Sequence, residues 1–386
     1  MNRLIKPAVL SISLLIIMTG TTVSPALGEI SKAFPDIDSY LIKMILTLPT
    51  IVVIPFSLLS GKISLVMKNR KILIIALILY IIGGLGGSFT NSIYELLFFR
   101  VIIGMGMGLL IPLSRSLIAD FFTGNERTEM MGMSNAISNL GGITATLIAG
   151  FLATFSWRYV FLVYLISLLV LVLVIFVLPE PKRRKPNNQN EFYINNKVLI
   201  LAILAFFLNI AFYSVVTNIA LFIENENIGN SNSAGIAMAS LTLAGFISGI
   251  FLQKLSALLK NKKIPIGIVL MSSGFLLLSN AYNLTIILLA NFLIGFGLGI
   301  LKPLILLQVT KVTPQLSNAF SLSVVSSSLY FGKFMSPIFL NFLAEVFGNN
   351  SIRFTFFMVG IGLGLSFIIS LILSFNSFRK QFSHLF

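Results

Sequence analysis

Apolar stretches of 18 or more residues recur from one end of the chain to the other, broken by short polar segments. A stretch of that length crosses a bilayer as a helix. The pattern predicts twelve helices, near 7–28, 39–60, 72–90, 95–117, 132–155, 158–178, 197–222, 233–256, 264–282, 285–308, 317–343 and 354–376. Twelve spans of about 20 residues take some 240 positions, leaving connections and no room for a soluble domain. A polar, Pro-interrupted and basic stretch from Leu178 to Asn196 reads as a solvated linker. The expected organisation is an N-terminal six-helix bundle over 1–178, a cytoplasmic linker over 179–196, and a C-terminal six-helix bundle with a short tail over 197–386.

The two halves repeat one another. Lys62-Ile-Ser-Leu-Val-Met-Lys-Asn-Arg-Lys-Ile72 returns as Lys254-Leu-Ser-Ala-Leu-Leu-Lys-Asn-Lys-Lys-Ile264, an offset of 192. Ile103-Gly-Met-Gly-Met-Gly-Leu-Leu-Ile-Pro-Leu113 returns as Ile294-Gly-Phe-Gly-Leu-Gly-Ile-Leu-Lys-Pro-Leu304, an offset of 191. Charged and Gly/Pro positions coincide at nearly one spacing, which chance between apolar helices does not produce. Each repeat holds six spans, an even number, so both run the same way through the membrane. The fold class expected is an all-α membrane protein of twelve transmembrane helices in two parallel six-helix repeats. Such repeats put a binding site between them at mid-depth.

Composition narrows the classes further. Only 10% of the 386 residues are charged, 56% are apolar and none is cysteine; soluble domains carry about 25% charged residues. A cytosolic enzyme, a nucleic-acid binder and a disulfide-built secreted protein are excluded on this basis, and thiolate metal sites and redox pairs with them. The net charge of +15 is spread unevenly. Nineteen of the 27 Lys and Arg residues fall in segments on one side of the predicted spans, among them Arg3, Lys6, Arg70, Lys71 and Lys182 to Lys185. Four (Lys32, Lys43, Arg158, Arg353) fall on the other side, and four (Arg100, Arg115, Lys302, Lys333) within spans. The positive-inside rule then puts both termini in the cytoplasm of a multi-pass plasma-membrane protein. Arg3 and Lys6 precede an apolar run, as in a signal peptide, but removing that helix would reverse the bias of every later loop; it reads as a retained span.

Six plus six spans with these motifs resembles the major facilitator superfamily of secondary transporters, over essentially the whole chain. After the second span that family carries Gly-x-x-x-Asp-Arg-x-Gly-Arg-Arg/Lys; Gly61, Arg70 and Lys71 match, while Leu65, Val66 and Lys68 replace the Asp, Arg and second Gly. Its fourth-span motif, an Arg before a Gly-rich run, is matched by Arg100, Gly104, Gly106 and Gly108. Trp157-Arg-Tyr-Val-Phe161 and Leu178-Pro-Glu180 are similar to the drug:proton antiporter branch, whereas that branch's Gly-Pro-x-x-Gly-Gly in the fifth span has here Gly141, Gly142 and Gly150 but no Pro. The resemblance implies proton coupling or substrate contact for Arg100 in a cavity-lining fourth span. It also implies a conformational switch in which Arg70 and Lys71, near Gly61, pair with Asp120 when the cytoplasmic side closes.

The candidate chemistry is cationic. All twelve acids fall at helix ends or in loops, and the within-span charges are all basic. A buried cation costs several kcal/mol, from roughly 3 upward, unless paired, hydrated or lining a cavity, and marks a functional site by default. Arg100 and Lys333 lie deepest. Lys302 lies in the inner third, and Arg115, about two residues from the inner boundary, is placed to snorkel or to pair with Asp120. In the seventh span, a cavity-lining span in the family, Asn209, Tyr213 and Thr217 share one helix face. Arg100, Asn209, Tyr213, Thr217, Lys302 and Lys333 are therefore the candidate substrate or coupling residues. The lone histidine, His384, sits in the tail; no catalytic residue, metal site or cofactor is expected.

The reading is an alternating-access secondary transporter, an efflux pump of the proton-linked antiporter type for small amphiphilic organic molecules, anionic or zwitterionic ones included. The alternative is a dedicated exporter or exchanger of an organic anion, chelating metabolite or lipid headgroup that works without a proton-coupling carboxylate. A non-transporting membrane sensor is the remote alternative. The expected partners are a small-molecule substrate, protons as coupling ion and the lipid bilayer, with the chain acting as a monomer and not on nucleic acid.

Overall fold

The structure, a computed structural model, describes residues 4–180, 195–252, 263–314 and 317–382, with the side chains of all of these except 128, 318, 319 and 368–382. Most of the expected linker, the second copy of the basic loop (Lys254 to Lys262) and His384 lie outside the described residues.

Among the described residues the chain is helical and forms no strand. Twelve spans follow one another: α1 (Ile5–Ala33), α2 (Ser39–Val66), α3 (Asn69–Phe89), α4 (Ile93–Phe121), α5 (Gly124–Ala153), α6 (Trp157–Val177), α7 (Asn196–Asn225), α8 (Ser231–Ile250), α9 (Lys263–Ser279), α10 (Leu284–Val312), α11 (Asn318–Val346) and α12 (Ile352–Phe382). Nine of these are long and apolar enough to cross a membrane, and α9 and Ile352–Phe367 of α12 are shorter apolar helices. Short polar residues start the spans: Asn195 and Asn283 accept from the backbone N–H groups of Val198 (2.8 Å) and Ile286 (2.9 Å), and Ser92 accepts from that of Tyr94. Gly348, at φ +67°, and Asn227, at φ 53°, lie just past the ends of α11 and α7. α1 is broken at a 3₁₀ turn, Ser24–Ala26, where Pro25 supplies no backbone donor.

Most helices overrun the apolar windows. α5 starts at Gly124 rather than near 132, so Glu126, Arg127 and Glu129 are helical, and α7 runs to Asn225, which brings Glu224 into the helix. Lys43, expected in an outside segment, is a buried residue of α2 whose Nζ donates to Asn341 Oδ1 on α11 (3.4 Å). The helix continues where the chain leaves hydrocarbon, because good helix formers need no apolar surroundings to stay helical.

The repeat is visible in the packing. α1 lies on α5, α4 on α2 and α3, and α6 on α3; in the second half α7 lies on α11, α10 on α8 and α9, and α12 on α9. The glycines explain the match residue by residue. A Cβ on Gly106 would stand 2.7 Å from the Ala76 carbonyl oxygen of α3, and one on Gly104 2.8 Å from that of Pro49 on α2, while Gly108 abuts Val53 and Phe56 of α2. Offset by 191, Gly297 abuts Gly267 and Met271 of α9, whereas Gly295 and Gly299 abut Leu241, Gly245 and Ser248 of α8. These are close-packing stripes of small residues.

Hydroxyls add to the seams. Ser138 Oγ donates to the Ser13 carbonyl (2.6 Å) across α5 and α1, and Ser336 Oγ to the Ile210 carbonyl (2.8 Å) across α11 and α7. Ser138→Ala and Ser336→Ala are each expected to cost about 0.6 kcal/mol, the average for such bonds in a bilayer. Thermal unfolding in detergent checks this; a loss several times larger in one half would show that the two seams are not equivalent.

An even number of spans puts both ends of the described chain on one face, the proximal face; the α1–α2, α7–α8 and α11–α12 turns lie on the other, the distal face. Between halves, α5 packs on α8, and α2 on α11. The cross-half bonds sit from mid-depth to the distal face. Ser24 Oγ donates to the Val216 carbonyl (2.5 Å), Thr50 Oγ1 to that of Tyr330 (3.3 Å), and Gly150 lies against Gly235.

Candidate functional site

Lys333 sits at the middle of α11. Its Nζ lies 5.1 Å from the ring centroid of Tyr213 on α7 and 4.9 Å from that of Tyr330 on α11, a cation held between two aromatic faces. The neighbouring Gly332 allows this. A Cβ there would collide with the Phe206 carbonyl oxygen and stand 3.2 Å from Asn209 Cβ, so α11 and α7 approach more closely than a side chain would permit. Tyr213 is 4% exposed and its hydroxyl reaches α1, where a Cβ on Gly20 would lie 2.8 Å away. Tyr213 therefore joins the two halves at mid-depth.

Two more cations share the space between the halves. The charge of Arg115 on α4 bears on both Lys302 of α10 and Tyr330 of α11, and the charge of Lys302 bears on Lys333. The side chains of Arg115 and Lys302 are exposed and that of Lys333 is half-buried. At a rise of about 1.5 Å per residue, Arg115 lies about 9 Å, Lys302 about 15 Å and Lys333 about 22 Å from the proximal ends of their helices. The three form a stair of positive charge from the proximal face to the aromatic pair. Arg115, expected to snorkel or pair near the inner boundary, is exposed and the shallowest of the three. Tyr330 was not singled out from the sequence. Its only signal is its place three residues before Lys333, one helical turn away on the same face.

The other candidates separate from this cluster. Asn209 and Thr217 are buried and turned to their own helix, Asn209 Nδ2 donating to the Ala205 carbonyl (3.1 Å) and Thr217 Oγ1 to that of Tyr213 (2.8 Å). Arg100 is fully buried inside the N-terminal half. Its Nη1 donates to Tyr164 Oη (3.3 Å), and its guanidinium carbon lies 5.0 Å from the Phe161 centroid and 5.6 Å from that of Tyr164. Its Nε and Nη2 have no hydrogen-bond partner. Tyr164 meets Tyr80 edge-on at 5.7 Å; Tyr80 accepts from Thr19 Oγ1 (3.1 Å) and donates to the Leu15 carbonyl (3.1 Å). Arg100 thus ties α4 and α6 to α3 and α1 instead of facing the central space.

The switch residues are also apart here. Glu180, after α6, accepts from the backbone N–H groups of Asn69 (2.8 Å) and Arg70 (3.3 Å), and Arg70 Nη2 donates to the Ile175 carbonyl. A carboxylate on those free N–H groups complements the start of α3. Asp120 accepts from Ser116 Oγ (3.1 Å), and Gly61 and Lys71 are exposed. Arg70 is bonded to Glu180 and Ile175 rather than to Asp120, and Lys71 forms no ion pair with Asp120 among the described residues. Lys6 pairs instead with Glu126 (2.8 Å), joining α1 to α5.

On the distal face one ion pair ties the halves and another braces the second half. Lys32 Nζ lies 3.2 Å from Glu29 on α1 and 3.1 Å from Glu224 on α7. Arg353 grips Glu226 in a fork, Nε to Oε1 at 2.9 Å and Nη2 to Oε2 at 2.8 Å, which holds the Glu226 carboxyl below the usual carboxylate range.

The sequence model of the Major Facilitator Superfamily matches residues 9–265. The multidrug transporter protein MdtP of Bacillus subtilis is 23% identical over 344 residues, which take in 70% of this chain and 62% of the relative, so the chain spans under two thirds of it. The multi-drug resistance efflux pump PmrA homolog of Lactococcus lactis is 25% identical, over 81% of this chain and 79% of its own. Among solved structures, a bacterial homolog of the human lysosomal transporter Spinster, inward-facing and occupied, superimposes with a TM-score of 0.76 at 17% identity, over 96% of both chains.

Proposed function

From its membership of the Major Facilitator Superfamily, the family of transporters to which this multi-pass membrane protein belongs, we propose that the chain is an alternating-access exporter of small amphiphilic molecules that carry negative or zwitterionic charge. One observation carries the reading: Arg115, Lys302 and Lys333 descend from the proximal face to a Tyr213–Tyr330 pair at the junction of the two repeats. Stacked cations attract an anionic headgroup and repel a lipophilic cation in a medium of low dielectric. The two tyrosine rings offer an apolar surface with polar tips beside that charge. Export is supported by the similarity to the Lactococcus lactis relative, a multi-drug resistance efflux pump homolog. Membership also supports protons as the coupling ion.

The orientation proposed is the one the charge bias selects, proximal face to the cytoplasm. The halves are then joined on the outside, and the cation stair opens inward, ready to load a cytoplasmic anion. The proposed units are the bundles over 1–178 and 197–386, working as a monomer.

Proteoliposomes loaded with an anionic or a cationic amphiphilic dye, with and without an imposed pH gradient, test the reading. The anionic dye is expected to move at least tenfold faster, and faster still with the gradient. Equal rates for the two dyes would end the anion assignment. Equal rates with and without the gradient would remove proton coupling and favour the second reading, an organic-anion exchanger, for which the all-basic central cluster speaks directly.

A further inference from the structure

The bundle's distal end holds two carboxylates on one ammonium. Glu224 of α7, with a side chain only 5% exposed, lies 3.1 Å from Lys32 of α1; Lys32 lies 3.2 Å from Glu29 one turn earlier in its own helix. Ser231 Oγ, at the start of α8, stands 3.5 Å from an oxygen of each carboxylate. The backbone is pressed into the same spot. A Cβ on Gly28 would overlap the Glu224 carboxylate, and Ser24 Oγ donates to the Val216 carbonyl two turns below Glu224. Arg353 of α12 is paired with Glu226, and Lys43 of α2 donates to the neutral amide of Asn341 and forms no ion pair with either carboxylate. The junction is thus short of one positive charge, and it joins helices of both repeats.

We propose that this junction is a proton-operated outer gate, in which closure of the distal side draws one proton from the external solution onto Glu224, buried beside Glu29 and Lys32. The inference rests on the alternating-access reading above. In an outward-open state α1 and α7 must separate here, and each carboxylate returns to water. Closing withdraws Glu224 from water beside a second carboxylate, with one lysine between them. A proton from outside makes up the missing charge, and it returns to the same side when the gate opens. Acid outside therefore favours the outer-closed form. A latch built on the ion pair alone gives the opposite sign, since acid would break it.

The chain contains no cysteine, so labels can be placed without background. Cysteines at Phe155 and Asn350, exposed in distal turns of the two halves, carry spin labels whose separation reports the gate. Acidification is expected to raise the short-distance population at least tenfold, the usual scale of coupling between linked equilibria. Glu224→Gln, which imitates the protonated side chain, should hold the short distance at every pH. Lys32→Met should demand more acid for closure. Should Glu224→Gln not assemble, Glu29→Gln at the more exposed carboxylate should still blunt the pH response. Longer distances in Glu224→Gln, or a pH response there equal to that of the parent, would overturn the gate. Dye flux separates the two ideas. The expected distance changes without carriage of either dye keep the gate and end the transport reading, whereas carriage with an unaltered pH response in Glu224→Gln ends the gate alone.

Discussion

Lys333→Glu is expected to lower transport of an anionic substrate by at least about a hundredfold, while Lys333→Arg retains most of it. The side chain supplies the deepest positive charge of the central stair, and two tyrosine rings hold it 4.9 and 5.1 Å from their centroids. A charge-assisted hydrogen bond to a bound anion contributes about 1.5–3 kcal/mol. Replacing the ammonium by a carboxylate removes that bond and adds repulsion of similar size, so a total of about 3–4 kcal/mol corresponds to a factor of a hundred to a thousand. The carboxylate would also face the negative faces of Tyr213 and Tyr330, which prefer a cation. Arginine keeps the charge and the stacking. Initial rates in proteoliposomes decide the matter. An unchanged rate for the anion in Lys333→Glu, with the protein folded and inserted, would remove Lys333 from the substrate path.

Helix number, orientation of the repeats and the glycine stripes were legible because each is written in one dimension. Runs of apolar residues count spans, and the 191-residue offset already contained the mirrored contacts of Gly106 and Gly297. Facing is a different matter. α4 is apolar nearly all round, so its sequence carries almost no periodicity to say which side Arg100 or Arg115 occupies. Both were legible as intramembrane cations, yet one is sealed among Phe161 and Tyr164 while the charge of the other bears on Lys302 of the second half. Tyr213 and Lys333 could be singled out, but their stacking depends on Gly332 letting α11 close on α7. The apolar window stops near residue 222, so the sequence puts Glu224 at a helix end. Three more helical residues and the break at Ser24–Ala26 bring it onto Lys32.

Arg100→Met is expected to stabilise the fold and impair transport together. A fully buried guanidinium with no carboxylate partner and two unbonded nitrogens carries a desolvation cost that one hydrogen bond to Tyr164 and two ring contacts offset only in part. An unbranched apolar side chain of similar length fills the space between α4 and α6 without that cost. Exchanging an under-satisfied buried ion for an apolar residue typically yields about 1–4 kcal/mol. The thermal midpoint in detergent should rise accordingly. A costly residue that is nevertheless present argues for a use, and the network it anchors shows what that use requires. Arg100, Tyr164, Tyr80 and Thr19 couple α4 and α6 to α1, whose distal end carries Gly28 and Lys32. Without the guanidinium, α1 and α4 lose their polar registry as the halves rock, and flux should fall at least tenfold. Arg100→Lys, which retains the charge but not the planar fork, should fall between. A midpoint below that of the parent would show that the aromatic box more than repays the buried charge, and unaltered flux in a stabilised Arg100→Met protein would leave Arg100 with no part in the cycle.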